Sequence, residues 1–153
     1  MALFLSTFIN RIDAKGRVSV PAPFRAALAG QSFNGIVVFP ATKLAAIEGS
    51  GIDRIASLAA RIDSLPEFSD ERNAISAIFA DAQQLPFDSE GRVMFPGWLL
   101  ELANITDNAS FVGIGSTFQI WEPEAFRAHH AEMRSRARTI TLPSQPAGNG
   151  GAA

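Results

Sequence analysis

The sequence contains no cysteine, which excludes disulfide staples, thiolate nucleophiles and the usual cysteine-rich zinc sites, and is what a reducing cytoplasm permits. It has no excess of positive charge either. Thirteen Lys and Arg against fifteen Asp and Glu leave a net charge of −2, the wrong sign for a protein that holds nucleic acid by its overall field. Any nucleic-acid site must therefore be local. A membrane-spanning run is missing as well. The apolar opening, residues 1–9, lacks a basic leading region and meets polar Asn10 and Arg11 after nine residues, too few to cross a bilayer. A buried strand and a cytoplasmic protein are expected. What the chain does have is apolar surface: 153 residues, 47% hydrophobic and 18% charged, suffice for one ordinary domain or two small fused halves.

The chain repeats itself at an offset of 75 residues (88 − 13 = 75), and internal repeats set the architecture before any local reading. Asp13 aligns with Asp88, Gly16 with Gly91, Arg17 with Arg92, Val18 with Val93, Pro21 with Pro96, and Phe24 with Leu99. Lys15 meets its opposite charge, Glu90.

Each copy reads as strand, turn, strand, helix and strand. β-like segments at 4–12 and 84–87 precede the turns, and short alternating ones at 17–20 and 92–95 follow. The Gly-Arg turn between them reads as a hairpin. A period of two puts Val18 and Val20 on one face and Arg17 and Ser19 on the other; Val93 and Phe95 likewise point in and Arg92 out. Pro21 and Pro96 cannot donate to a ladder, so they end the pairing and open short helices carrying Phe24 and Leu28, or Leu99 and Leu102. Strands at 35–39 and 110–114 close the copies.

Helical spacing over 52–62 and 70–82, separated at Pro66, predicts two connecting helices. A further helix is expected from 122–124, with acids at its start and Arg134, Arg136 and Arg138 near its end. The expected organisation is a first module over 4–48, a helical connector over 49–82, a second module with a C-terminal helix over 83–138, and a disordered tail over 139–153. Short strands that cannot bury both faces alone favour a pseudo-twofold barrel built from both repeats, mainly β with peripheral helices, an α+β fold.

The turns carry the chemistry. Across a tight turn the Asp13 carboxylate can accept hydrogen bonds from turn amides or from the Arg17 guanidinium, acting as an orienter. Arg17 then presents a planar fork suited to phosphate oxygens or to the O6/N7 edge of guanine, in a major groove that admits a two-stranded ribbon. Asp88 and Arg92 repeat the arrangement. Lys15 and Arg11, on or beside the first turn, are further candidate DNA contacts. A single Asp-x-x-Gly-Arg is a common turn with a surface ion pair of little consequence. Its duplication argues for a module, although duplication of a fold repeats structural residues too.

Charge separates the copies. Residues 1–30 hold Arg11, Lys15, Arg17 and Arg25 against Asp13 (+4 − 1 = +3); residues 81–105 hold Arg92 against Asp81, Asp88, Glu90 and Glu101 (+1 − 4 = −3). The first copy should dominate on DNA. Opposite charges also suit a head-to-tail contact that closes a ring, and repeated basic patches at fixed spacing would gain effective concentration on repeated DNA sites.

The run at 13–25, Asp-x-Lys-Gly-Arg-Val-Ser-Val-Pro-Ala-x-Phe-Arg, with its degenerate echo at 88–99, resembles the MraZ family over about residues 4–138. The resemblance implies two SpoVT-AbrB-type swapped-hairpin modules, a ring of subunits, and binding to repeats in the promoter of the division and cell-wall gene cluster. It further implies a repressor acting on its own operon and associated with the nucleoid. The family's Asp-x-x-x-Arg motifs map onto Asp13 with Arg17 and Asp88 with Arg92, the arginines being its DNA contacts. No cofactor, metal, small-molecule substrate or enzymatic activity is implied.

Other readings are weaker. The two related aspartates lack the Asp-Thr-Gly run of an aspartic-protease dyad, and each has an arginine to keep it ionised. Adjacent His129 and His130 on a helix point about 100° apart and have no acidic ligand placed beside them. Gly113-Ile114-Gly115 lacks the third glycine and lysine of a phosphate loop. Arg127, Arg134, Arg136 and Arg138 suit a helix dipole, and Trp98 and Trp121 a core or interface. The alternative function is an AbrB-like protein-binding module of antitoxin type, although the short, apolar-poor tail offers no toxin-wrapping segment.

Overall fold

In the computed structural model, which describes residues 2–143, each repeat unrolls in the same order. The first copy comprises β1 (Thr7–Arg11), β2 (Arg17–Ser19), α1 (Ala22–Ala27), β3 (Gly35–Pro40) and β4 (Ile47–Ser50). Helices α2 (Ile52–Ile62) and α3 (Asp70–Asp81) follow. The second copy comprises β5 (Gln83–Pro86), β6 (Arg92–Met94), α4 (Gly97–Leu102), β7 (Asn108–Gly113) and β8 (Phe118–Trp121), before α5 (Pro123–Ala137). The class is α+β, as expected. Positions 144–153 of the expected tail lie outside the described residues.

The arms of each turn do not pair with each other along their length. β1 pairs with β7 and β5 with β3, so each copy lends its first strand to the other copy's third. The second strands meet in a two-stranded antiparallel ribbon, β2 with β6. This is the swapped arrangement that the family resemblance implies. The remaining strands form one sheet in the order β1-β7-β8-β4-β3-β5, which exchange of the copies simply reverses. In the ribbon Val18 pairs with Val93, its own counterpart (93 − 18 = 75), so a pseudo-twofold axis runs between them. In the sheet that axis passes near the Glu48 and Gln119 pair, where Gln119 Nε2 donates to Glu48 Oε1 at 2.8 Å. Burial raises the Glu48 pKa, and the Gln119 bond opposes that shift.

The core forms where the alternating patterns predict. Val18, Val20, Val93 and Phe95 are buried, whereas Ser19 and Met94 face out. α1 has Pro21 as its N-cap and inserts Phe24 among Phe4, Phe111 and Phe118, with ring centroids 5.2, 6.4 and 5.2 Å away. Two of those rings belong to the other copy, so this helix joins both repeats through apolar burial. One expectation fails locally. Leu102, expected on the packed face of α4, is exposed, and Ala103, the counterpart of Leu28 (28 + 75 = 103), is buried in its place. Trp121 lies in the core, but Trp98 is a surface residue.

α2 is half-buried at Ile52, Ile55, Leu58 and Ile62, one face at helical spacing. The Ser69 side chain caps α3 by accepting from the Arg72 amide at 3.2 Å, with Asp70 and Glu71 at the positive end of the dipole. Arg61 ties α2 to α3 through two bonds to Glu71 Oε1, at 2.9 and 2.7 Å. The chain through Pro123 is one compact unit, and Glu124 begins a second. Within the second, His130 stacks on Phe126 at 5.1 Å and Arg136 pairs with Glu132 at 2.6 Å. Among the described residues no group of three or more His, Asp or Glu is placed to hold a metal, and no helix is long and apolar enough to cross a membrane.

Candidate functional site

Both Asp-x-x-Gly-Arg segments fold as the same closed turn. The Asp13 amide donates to the Arg17 carbonyl at 3.0 Å, and the Gly16 amide to the Asp13 carbonyl at 3.0 Å. The second copy repeats these bonds at 2.9 and 3.1 Å between Asp88 and Arg92 and between Gly91 and Asp88. Gly16 and Gly91 have φ of +85° and +76°, the left-handed region that glycine adopts without steric cost.

Each carboxylate is used twice. Asp13 Oδ1 accepts the amides of Lys15 and Arg17, both at 2.9 Å, while Oδ2 accepts Arg17 Nε at 2.7 Å. Asp88 does the same with Glu90 N at 2.8 Å, Arg92 N at 2.9 Å and Arg92 Nε at 2.8 Å. Of the two possibilities open at the sequence level, amides or guanidinium, the carboxylate takes both. Donated bonds favour the ionised carboxyl, so both Asp13 and Asp88 titrate below the ordinary value, the Arg17 and Arg92 amides contributing most. Because the carboxylate holds Nε, it leaves the Nη nitrogens of each arginine to other partners. Both arginine side chains remain about one-third exposed.

The turns differ at their middle residue. Glu90 Oε2 accepts Arg92 Nη2 at 2.8 Å, so Arg92 is shared between two carboxylates. At the corresponding place Lys15 stands exposed, and among the described residues Arg17 pairs with Asp13 alone. The Arg92 pKa is raised by its bond to Asp88 and by the charges of Glu90 and Asp13. Asp13 acts there from the opposite turn, which reflects how close the ribbon brings the two.

A cleft of about 670 Å³ opens beside the first turn, lined by Arg11, Asp13, Lys15, Phe95, Leu100 and Asp107 among others. Arg11 and Lys15 thus gather with Asp13 at one site, while Arg92 lies on the companion turn. At the second turn the Arg25 side chain occupies the corresponding flank. A Cβ on Gly91 would sit 2.5 Å from Arg25 Nη1 and 2.7 Å from its Cζ, and Arg25 Nε donates to the Val20 carbonyl at 3.0 Å. Leu100 is the counterpart of Arg25 (25 + 75 = 100), and the repeat alignment could have exposed that difference. Ribbon bonds brace both ends: Phe95 N donates to Gly16 O at 3.0 Å, and Val20 N to Gly91 O at 3.1 Å. Asn10 Nδ2, unremarked in the sequence, ties β1 to β2 through the Ser19 carbonyl at 2.7 Å.

These positions redistribute the charge. Around the first turn stand Arg11, Lys15 and Arg17 against Asp13 and Asp107 (+3 − 2 = +1). Around the second stand Arg25 and Arg92 against Asp88 and Glu90 (+2 − 2 = 0). Moving Arg25 to the other copy takes the contrast of +3 with −3, counted along the chain, to +2 with −2; counting Asp107 with the first turn and leaving Asp81 and Glu101 out of the second takes it to one charge.

A family model described as "MraZ protein, putative antitoxin-like" matches residues 78–142. Curated relatives match nearly the whole chain. A protein of Gluconacetobacter diazotrophicus is 44% identical over 156 aligned residues, covering 99% of both chains. One from Rickettsia bellii is 47% identical over 144, covering 93% of this chain and 96% of its own. One from Pelagibacter ubique is 45% identical over 136, covering 88% of each. All three bear the name "Transcriptional regulator MraZ".

Proposed function

Because the chain belongs to the MraZ family of transcriptional regulators, we propose that it binds duplex DNA through the two turns, with Arg17 and Arg92 as the contacts. Asp13 and Asp88 are their orienters, and Lys15 and Arg11 add phosphate contacts beside the first turn. The observation that carries this reading is the twice-used carboxylate: in both copies it fixes the arginine by Nε, which leaves the Nη nitrogens of Arg17 for a ligand and, because Glu90 takes Nη2, only Nη1 of Arg92. A guanidinium so held loses less freedom on pairing with a phosphate or a guanine edge than a flexible one. Two SpoVT-AbrB-type modules act as a pair, the first running to the end of β4 at Ser50 and the second starting at β5, with α2 and α3 as the connector. The first turn has the greater share of binding, because among the described residues Arg17 has no second carboxylate, and Lys15 replaces Glu90.

One weakly charged surface per chain binds DNA poorly, so the protein acts as a ring of copies on promoter repeats, where effective concentration multiplies the contacts. Repression of its own operon and of the division and cell-wall cluster, a nucleoid location and the absence of enzymatic activity complete the reading. The test is a gel shift on DNA upstream of the protein's own gene, with wild type, Arg17→Ala and Arg92→Ala, alongside native mass spectrometry. Loss of the shift, larger for Arg17→Ala, in an assembled protein supports the reading. Unchanged binding by a folded, assembled Arg17→Ala overturns it.

The description "antitoxin-like" favours a second reading, a protein-binding module. A chain that binds no promoter DNA yet forms a defined complex with one protein partner would select it.

A further inference from the structure

We infer that Arg25, carried by the first repeat, is the phosphate contact of the second turn, and so serves there as Lys15 serves the first. The inference rests on the DNA-binding reading above and extends it to a residue outside the Asp-x-x-x-Arg motifs.

Three observations converge. The guanidinium lies so close to Gly91 that a Cβ there would force the Arg25 side chain to shift. Its Nε is anchored on the Val20 carbonyl at 3.0 Å, and Nη1 lies on the Gly91 side. Arg25 is half-exposed, and no carboxylate among the described residues forms an ion pair with it.

The repeat comparison explains why it is needed. The second turn carries Glu90 where the first carries Lys15, and Glu90 occupies Arg92 Nη2. Without Arg25 its local balance would be −1, repelling a phosphate; with it the balance is zero. The first turn needs no such cation, and Leu100 stands in the corresponding place beside an open cleft. A planar guanidinium set beside Gly91 and anchored by Nε is preorganised for a phosphate as Arg17 is, but by a carbonyl rather than a carboxylate.

A purely structural role would have Arg25 only prop the second turn. Charge separates the two. Arg25→Gln keeps a polar side chain of similar length and removes the cation, whereas Arg25→Lys keeps the cation and alters the anchor. Promoter-DNA affinity is measured by fluorescence anisotropy across a salt series, with thermal unfolding of each variant as the second readout. The expected result for Arg25→Gln is a log-log salt slope shallower by about 0.9 per engaged subunit and affinity about fivefold weaker near ~0.15 M salt. Its midpoint of unfolding should match wild type, and Arg25→Lys should retain most of the slope.

A wild-type slope in Arg25→Gln overturns the inference. So does a loss of slope in both variants that tracks a loss of thermal stability, which would make Arg25 a prop. Failure of the underlying reading looks different: wild type itself then shows no salt-dependent DNA binding.

Discussion

Replacing Glu90 tests the asymmetry between the turns at the point where the structure places it. Glu90 is two-thirds exposed, and its carboxylate holds Arg92 Nη2 at 2.8 Å. Its amide, which bonds Asp88, is untouched by substitution, so the turn keeps its geometry. Glu90→Gln removes one negative charge and releases Nη2; Glu90→Lys adds a cation where the first copy has Lys15. If each step adds one phosphate contact, the slope of log affinity against log salt steepens by about 0.9 per step per engaged subunit. Near ~0.15 M salt that is about fivefold tighter binding for Glu90→Gln and about 30-fold for Glu90→Lys. Fluorescence anisotropy on promoter DNA from low to high salt reads both quantities. Unchanged slopes in two folded, assembled variants would refute the argument that Glu90 withholds Arg92 from DNA.

Three other predictions bear on the turns and the core. Asp13→Asn removes a negative charge, so simple charge counting expects tighter DNA binding; loss of the Arg17 Nε anchor expects weaker binding, roughly tenfold, and anisotropy decides the sign. Folded Asp13 and Asp88 titrate below their ordinary 3.8; their stabilisation is complete above that value and lost as pH falls through the lower folded pKa, so the Asp13→Asn and Asp88→Asn variants should show a flatter stability profile below about pH 4 in acid denaturation. Phe24→Ala, which empties a fully buried site contacted by rings from both copies, should cost about 3–5 kcal/mol in urea denaturation. Gly16→Ala should cost about 1–2 kcal/mol for its left-handed φ, and Gly91→Ala distinctly more, because its Cβ would also displace Arg25.

The repeat, the turns and the buried faces were legible because they are local. Asp13, Gly16, Arg17 and Val18 recur in register at 88, 91, 92 and 93, and a period of two decides which side chains go inward. Strands β4 and β8 were not expected. β4, Ile47-Glu48-Gly49-Ser50, alternates poorly, and its Gly49 exists to admit the Phe118 ring, a Cβ there standing only 2.4 Å from it. That demand comes from a residue 69 positions away (118 − 49 = 69). The residue-level swap was equally hidden: nothing in Thr7–Arg11 says that it pairs with Asn108–Gly113 rather than with its own hairpin arm. For the same reason Arg25, counted with the first turn along the chain, stands against the second in space. Charge totals per segment miss such crossings wherever two copies interleave.

The most direct test of the central claim is a structure of the assembled protein with its promoter duplex. Arg17 Nη atoms should lie within about 2.7–3.2 Å of a phosphate oxygen or a guanine O6/N7 edge, with Arg17 Nε still on Asp13 and Arg92 at a second contact on the same duplex. A duplex docked on another face, with both arginines in solvent, would contradict it.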